Sequence, residues 1–224
     1  MNILLLDTET TGMNPEVDRC IEVACCLYDT TTASPIVSYS SLIKHDANPA
    51  EPINRISVKS LLNAPDEWEV WPKVLNLAEK AECLVAHRAS FDRLFVNEML
   101  RDRIWICSKS DILWPDLRGG TMAGDHLVHL SLFYGLGVVS AHRALTDVDI
   151  MVRIFTRVAE LGFDLDKMLT SAMRPKERFV ALVPYEKKDT AKKLGFLWDA
   201  DRREWYRHMP PEDTPKLPFQ VRRG

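Results

Sequence analysis

The stretch Asn-Ile-Leu-Leu-Leu-Asp-Thr-Glu-Thr-Thr-Gly, residues 2–12, constrains this chain most. Four consecutive apolar residues, Ile3 to Leu6, fit a strand covered on both faces, and so the middle of a sheet flanked by helices. The run then stops at Asp7, and Glu9 follows two positions later. In a strand, residues i and i+2 point to the same face, so the two carboxylates project together where the strand ends. Like charges this close repel unless a cation lies between them. All-oxygen ligation favours a hard divalent ion, Mg2+ or Mn2+. The same pattern also fits a strand that simply surfaces and turns polar, and this pair alone does not separate the two readings.

The remaining pattern alternates. Residues 19–29 and 35–44 read as strands around a Thr-rich turn, 57–65 and 69–81 as helices, and 83–87 as a buried strand. A helix over 90–102, a strand over 104–108 and helices over 124–136 and 144–161 follow. Three early strands and then alternating strands and helices predict an α/β fold, a mixed sheet with helices on its faces. Residues 163–177 read as a short helix and a linker. A compact α+β unit comes next, with a strand over 178–184, a helix over 186–195 and a strand over 204–208. The last fifteen residues hold four prolines and read as an extended tail. The expected organisation is a domain over 1–165, a linker over 166–176, a small basic domain over 177–209 and a tail over 210–224.

Charge supports two units. Residues 1–173 carry 16 Lys+Arg against 24 Asp+Glu, whereas residues 174–224 carry 13 against 8. Cys20, Cys25, Cys26, Cys83 and Cys107 are odd in number and form no CxxC pair, which disfavours structural zinc and a disulfide framework. No run approaches the roughly 18 apolar residues that span a bilayer, and the N-terminus lacks the basic region of a secretory signal. A cytoplasmic protein with no membrane partner is expected.

Further carboxylates stand at element boundaries. Asp92 follows His87-Arg88-Ala-Ser-Phe91, where a strand gives way to a helix, and Asp147 lies near the start of the long helix, five residues after His142. Five helical steps separate those side chains by some 140°, so His142 shares a site with Asp147 only from the preceding loop. A loop-borne imidazole titrating near neutrality suits a general base.

Together, Asp7-Thr-Glu9-Thr10-Thr11-Gly12, HRASFD (87–92) and HRALTD (142–147) resemble the three motifs of the DEDDh, DnaQ-like 3′–5′ exonucleases, the group of the polymerase III proofreading subunit. The resemblance covers about residues 1–161. It implies a ribonuclease-H-like fold, a five-stranded mixed sheet with the first strand central. It implies two divalent ions, Mg2+ or Mn2+, held by Asp7, Glu9, Asp92 and Asp147, with His142 deprotonating the attacking water. Thr10, Thr11 and Gly12 would shape the pocket of the last nucleotide, with His87, Arg88 and Phe91 also counted towards substrate. Arg88 departs from the usual His-Asn of the second motif. It reads as solvated charge or as a contact to phosphate, while Phe91 and Trp105 read first as core.

The implied partners are single-stranded or frayed nucleic-acid 3′ ends, DNA before RNA, and a polymerase or repair complex. The alternatives are an RNA-trimming enzyme and a non-catalytic binding protein on a nuclease fold. His126 and His129 are read as ordinary histidines without an acidic partner, and Asp149 as solvent-facing. The C-terminal unit resembles a small domain appended to primase-like DNA-processing proteins. Trp198, Trp205 and Tyr206 are expected to form its miniature core. The alternative is a single-strand platform along Lys187, Lys188, Lys192 and Lys193.

Overall fold

The computed structural model describes residues 1–137, 143–184, 186 and 188–224. Strand β1 (Asn2–Thr10) lies at the centre of a five-stranded sheet of order β3-β2-β1-β4-β5. Strands β2 (Cys20–Asp29) and β3 (Ser34–Leu42) run antiparallel on one side, with β4 (Cys83–Ala86) and β5 (Trp105–Cys107) parallel on the other. The apolar run at 3–6 is thereby explained, because its alternate residues enter two different cores.

Ile3 and Leu5 join Cys26, Tyr28, Val85, Trp114, Met151 and Phe155 on one face. Leu4 and Leu6 join Val23, Cys25, Val70, Trp71 and Val74 on the other. Helix α7 (Ala144–Glu160) covers the first face and α3 (Glu67–Ala78) the second. By parity Asp7 and Glu9 belong to the α7 face, and the register Asp7↔Ala24, Glu9↔Glu22 places Glu22 there as well.

Several elements differ from the sequence reading. Two helices, α1 (Glu51–Asn54) and α2 (Val58–Leu62), follow β3 where one was expected. The helix expected over 90–102 is broken into α4 (Ala89–Phe95) and α5 (Glu98–Arg101). Val96 is extended there, and the Asn97 side chain accepts the Met99 N–H, starting a new helix. A hairpin of β6 (Leu113–Pro115) and β7 (Thr121–Ala123) stands where no strand was read. Helix α6 spans Leu127–Phe133.

The short helix expected within 163–177 is α8 (Leu165–Met173), whose Leu165, Leu169 and Ala172 pack into the main core, and it takes up most of the linker expected over 166–176. The connection between the units is thus reduced to residues 174–176. Beyond it β8 (Glu177–Ala181), α9 (Lys188–Lys193), β9 (Leu197–Asp199) and β10 (Glu204–Met209) follow. The tail is not simply extended: Pro211–Lys216 forms a 3-10 helix, and β11 (Val221–Arg223) pairs with β8, completing a sheet of order β11-β8-β10-β9.

The small core is Phe179, Ala181, Ala191, Phe196 and Met209, with Trp205 packed at its side. Trp198 stays half exposed at 50%, and Tyr206 lies under the Arg178 guanidinium. The expected tryptophan–tyrosine core is therefore corrected. Phenylalanines fill it because alternate residues of β8, together with Phe196, face α9.

Candidate active site

The end of β1 and the start of α7 meet on one face of the sheet. Asp7, Glu9 and Asp147 each offer a carboxylate oxygen there, and the three oxygens lie within 4.8 Å of one another. Asp147 reaches the strand because it stands in the first turn of α7, its N–H donating to the Arg143 carbonyl at 3.0 Å.

Asp92 comes from the other side of β1, in the first turn of α4. It is buried, and its Oδ1 accepts both the N–H and the hydroxyl of Thr8, at 3.1 and 2.9 Å. Thr8 thus ties the second motif to the first.

Burial and neighbouring carboxylates raise the proton affinity of Asp7 and Glu9, and burial raises that of Asp92. Burial first, then the charges of Asp92, Asp147 and Glu9, hold Asp7 well above the usual carboxylate range. Burial followed by Asp147 and Glu22 lifts Glu9 to about 7, with Arg143 pulling the other way. Burial also lifts Asp92 to about 7 against the two Thr8 hydrogen bonds and the charge of Arg88. A cluster of hard oxygens that retains protons against its own charge is a donor set matched to a divalent cation, which would replace them.

The remaining expected residues separate into groups. Thr10 and Thr11 are buried: the Thr10 hydroxyl donates to the Gly12 carbonyl at 2.6 Å, and that of Thr11 donates to Asp18 Oδ1 at 3.1 Å. A Cβ at Gly12 would stand 2.4 Å from Asp18 Oδ2, so this turn admits only glycine without moving Asp18. His87 is locked away from solvent, its Nε2–H donating to the Asp125 carbonyl at 2.7 Å and its Nδ1 facing the Ser108 hydroxyl at 2.9 Å. Burial pushes it down to about 4, so it is a neutral brace beneath the site.

Arg88 is exposed just before α4. Phe91 is half-buried, 4.8 Å from the Phe95 ring. Trp105 packs against the α3-side core, and Asp149 is exposed. His126 is exposed, and His129 has an acidic partner after all, Asp125 Oδ2 at 3.2 Å from its Nδ1. The five cysteines are free thiols. His142 and Lys187 lie outside the described residues.

Residues not read from the sequence complete the site. Asn54 is buried and donates to the Thr10 carbonyl at 3.2 Å, tying α1 to the end of β1. Glu22 is buried beside Glu9 and paired with Arg143. Its signal was present as a lone charge inside the apolar run Cys-Ile-Glu-Val-Ala-Cys-Cys.

Comparison with known proteins agrees with this geometry. Residues 4–155 match the family model described as exonuclease (RNase T). The DNA polymerase III subunit epsilon of Treponema pallidum is 34% identical over 163 residues, covering 67% of this chain and 73% of that protein. The PolC-type DNA polymerase III of Thermotoga maritima is 29% identical over 170 residues, 70% of this chain but 12% of that one.

Among solved structures, exonuclease X in complex with 5′ overhanging duplex DNA aligns with a TM-score of 0.56 at 24% identity, covering 76% of this chain and 99% of that one. Residues 177–223 match a domain of unknown function. The chain belongs to the exonuclease family of the first model. Within it, it is a DnaQ-like 3′–5′ exonuclease, a hydrolase on a ribonuclease-H-like fold. Among the described residues no helix is long and apolar enough to cross a membrane.

Proposed function

We propose that this chain removes nucleoside 5′-monophosphates from single-stranded or frayed DNA 3′ ends, using two divalent ions, Mg2+ or Mn2+. The observation that carries the reading is the meeting of Asp7, Glu9 and Asp147, with Asp92 anchored through Thr8 to the same strand. Bound ions would acidify the attacking water and stabilise the leaving oxygen.

The protein's own groups do the rest. Asp7, Glu9 and Asp147 would hold one ion, and Asp92 would help Asp7 with the second, at the rigid end of a central strand. The turn Thr10-Thr11-Gly12, fixed by Asp18 and Asn54, forms a wall for the terminal nucleotide. Arg88, exposed and near enough to Asp92 to act on it, is assigned a phosphate of the strand, and half-buried Phe91 on α4 is assigned to the nucleotide pocket. His142 takes the proton from the attacking water. DNA is placed before RNA because the 34% identical relative is a subunit of a DNA polymerase, which also makes a polymerase complex the first partner to seek.

The domain over 1–165 is assigned the reaction and the unit from 177 onward a grip on the single strand. Half-exposed Trp198 stands 5.4 Å from Trp205, in a unit whose exposed Lys192 and Lys193 are suited to phosphates.

Incubating 5′-labelled single-stranded DNA and RNA of one sequence with wild type in Mg2+, Mn2+ or EDTA tests this reading. A ladder shortening from the 3′ end, only with metal and faster on DNA, is expected. Faster RNA trimming would transfer the assignment to RNA, and binding without cleavage would leave only the non-catalytic alternative.

A further inference from the structure

Glu22 is a carboxylate for which the proposed chemistry has no use. It stands on β2 opposite Glu9, its side chain 4% exposed. Its Oε1 accepts from Arg143 Nη2 at 2.7 Å, and its Oε2 accepts from Arg143 Nε at 3.0 Å and from the Ala144 N–H at 3.0 Å. Ala144 is the first residue of α7, and its N–H is one of the donors a helix start leaves without an internal acceptor. The residue before it, Arg143, supplies no side-chain cap. Glu22 therefore caps the helix from across the sheet, with a negative charge at the positive end of the helix dipole.

Asp147 is borne one turn into α7, and its carboxylate lies within 4.8 Å of those of Asp7 and Glu9 on β1, like charges that repel. Nothing in that repulsion holds the helix down. The fork of Arg143 on Glu22 does so together with the buried Ala144 and Val148, because it joins the start of α7 to the strand beside β1.

We infer that Glu22 is a positioning residue, holding the first turn of α7 through Arg143 and Ala144 so that Asp147 completes the carboxylate site. The inference rests on the active-site reading given above.

The test compares full-length wild type with Glu22→Gln, Arg143→Lys and the double variant. Three readouts are taken: thermal unfolding, Mn2+ binding followed by the loss of the free-ion resonance signal, and single-turnover cleavage of a 3′ end at saturating enzyme. Glu22→Gln keeps the shape and one acceptor but loses the charged fork. Either single variant is expected to lower the cleavage rate and weaken Mn2+ binding by about 10- to 100-fold, as outer partners of metal ligands do. Binding of the strand itself should be unchanged, and the double variant no worse than the weaker single one.

A lowered unfolding temperature with unchanged Mn2+ affinity and unchanged rate per folded molecule would make Glu22 purely structural and overturn the inference. If Glu22→Gln does not fold, Arg143→Lys carries the same expectation. If wild type binds Mn2+ but cleaves nothing, the catalytic reading fails, while the Mn2+ comparison still decides the role of Glu22.

Discussion

At Asp7, Glu9 and Asp92 the folded chain binds protons that the unfolded chain gives up. Glu9 and Asp92 titrate near 7 in the fold, against ordinary values of 4.5 and 3.8. Raised values mean that these groups stabilise the metal-free protein below about pH 4 and that the contribution is lost as pH rises through 7. A divalent ion bound at the proposed site would take the place of those protons, so the rise in unfolding temperature on adding Mg2+ should grow between pH 5 and pH 8. His87 acts with the opposite sign, since burial depresses it, but it is common to both forms and cancels in the difference. A Mg2+ effect independent of pH would contradict the carboxylate assignment.

Asp7 and Glu9 were legible as a pair because strand parity alone fixes their common face. Glu22 went unread inside an apolar strand, since its partner lies 121 positions away and reaches it only through the fold.

The long, patterned elements are those the sequence announced. Helix α7 was read as 144–161 and spans Ala144–Glu160, because its apolar spacing follows the sheet it covers. The hairpin β6–β7 went unread, since two three-residue strands are too short for periodicity to show. Gly119 and Gly120, both at positive φ, make its turn.

That hairpin matters to the core. It carries Trp114, fully buried against Phe155 and Tyr134, whose Nε1–H donates to the Ser108 carbonyl at 2.7 Å. The same Ser108 faces His87 with its hydroxyl, so the hairpin braces the second motif. Trp114→Ala should cost about 3–5 kcal/mol in urea unfolding. A loss below 1 kcal/mol would place Trp114 outside the cooperative core.

The whole molecule joins an acidic exonuclease body to a basic C-terminal unit, as the charge split implied. What the split did not reveal is how closely they dock. From within the three-residue connection, Arg174 pairs with Asp213 and Glu212 of the C-terminal unit, and Lys176 pairs with Asp111 of the body at 3.0 Å. The tail was misread because proline content marks broken backbone, not absence of pairing, and β11 completes the sheet regardless.

If the C-terminal unit grips the single strand, Lys192→Ala with Lys193→Ala should reduce the salt slope of binding by about 1.4. Trp198→Ala should weaken binding about 10-fold without altering the slope. Fluorescence anisotropy across a salt series checks both, and affinities and slopes equal to wild type would remove this unit from the substrate path.

The central claim is that the four carboxylates form a metal site at the end of β1. Calorimetric titration of Mn2+ into the protein, wild type beside Asp7→Asn, tests it most directly. Two ions per wild-type chain are expected, with both bindings lost or greatly weakened in the folded variant, because Asp7 is assigned to both ions. Equal stoichiometry and affinity in the two proteins would contradict the account.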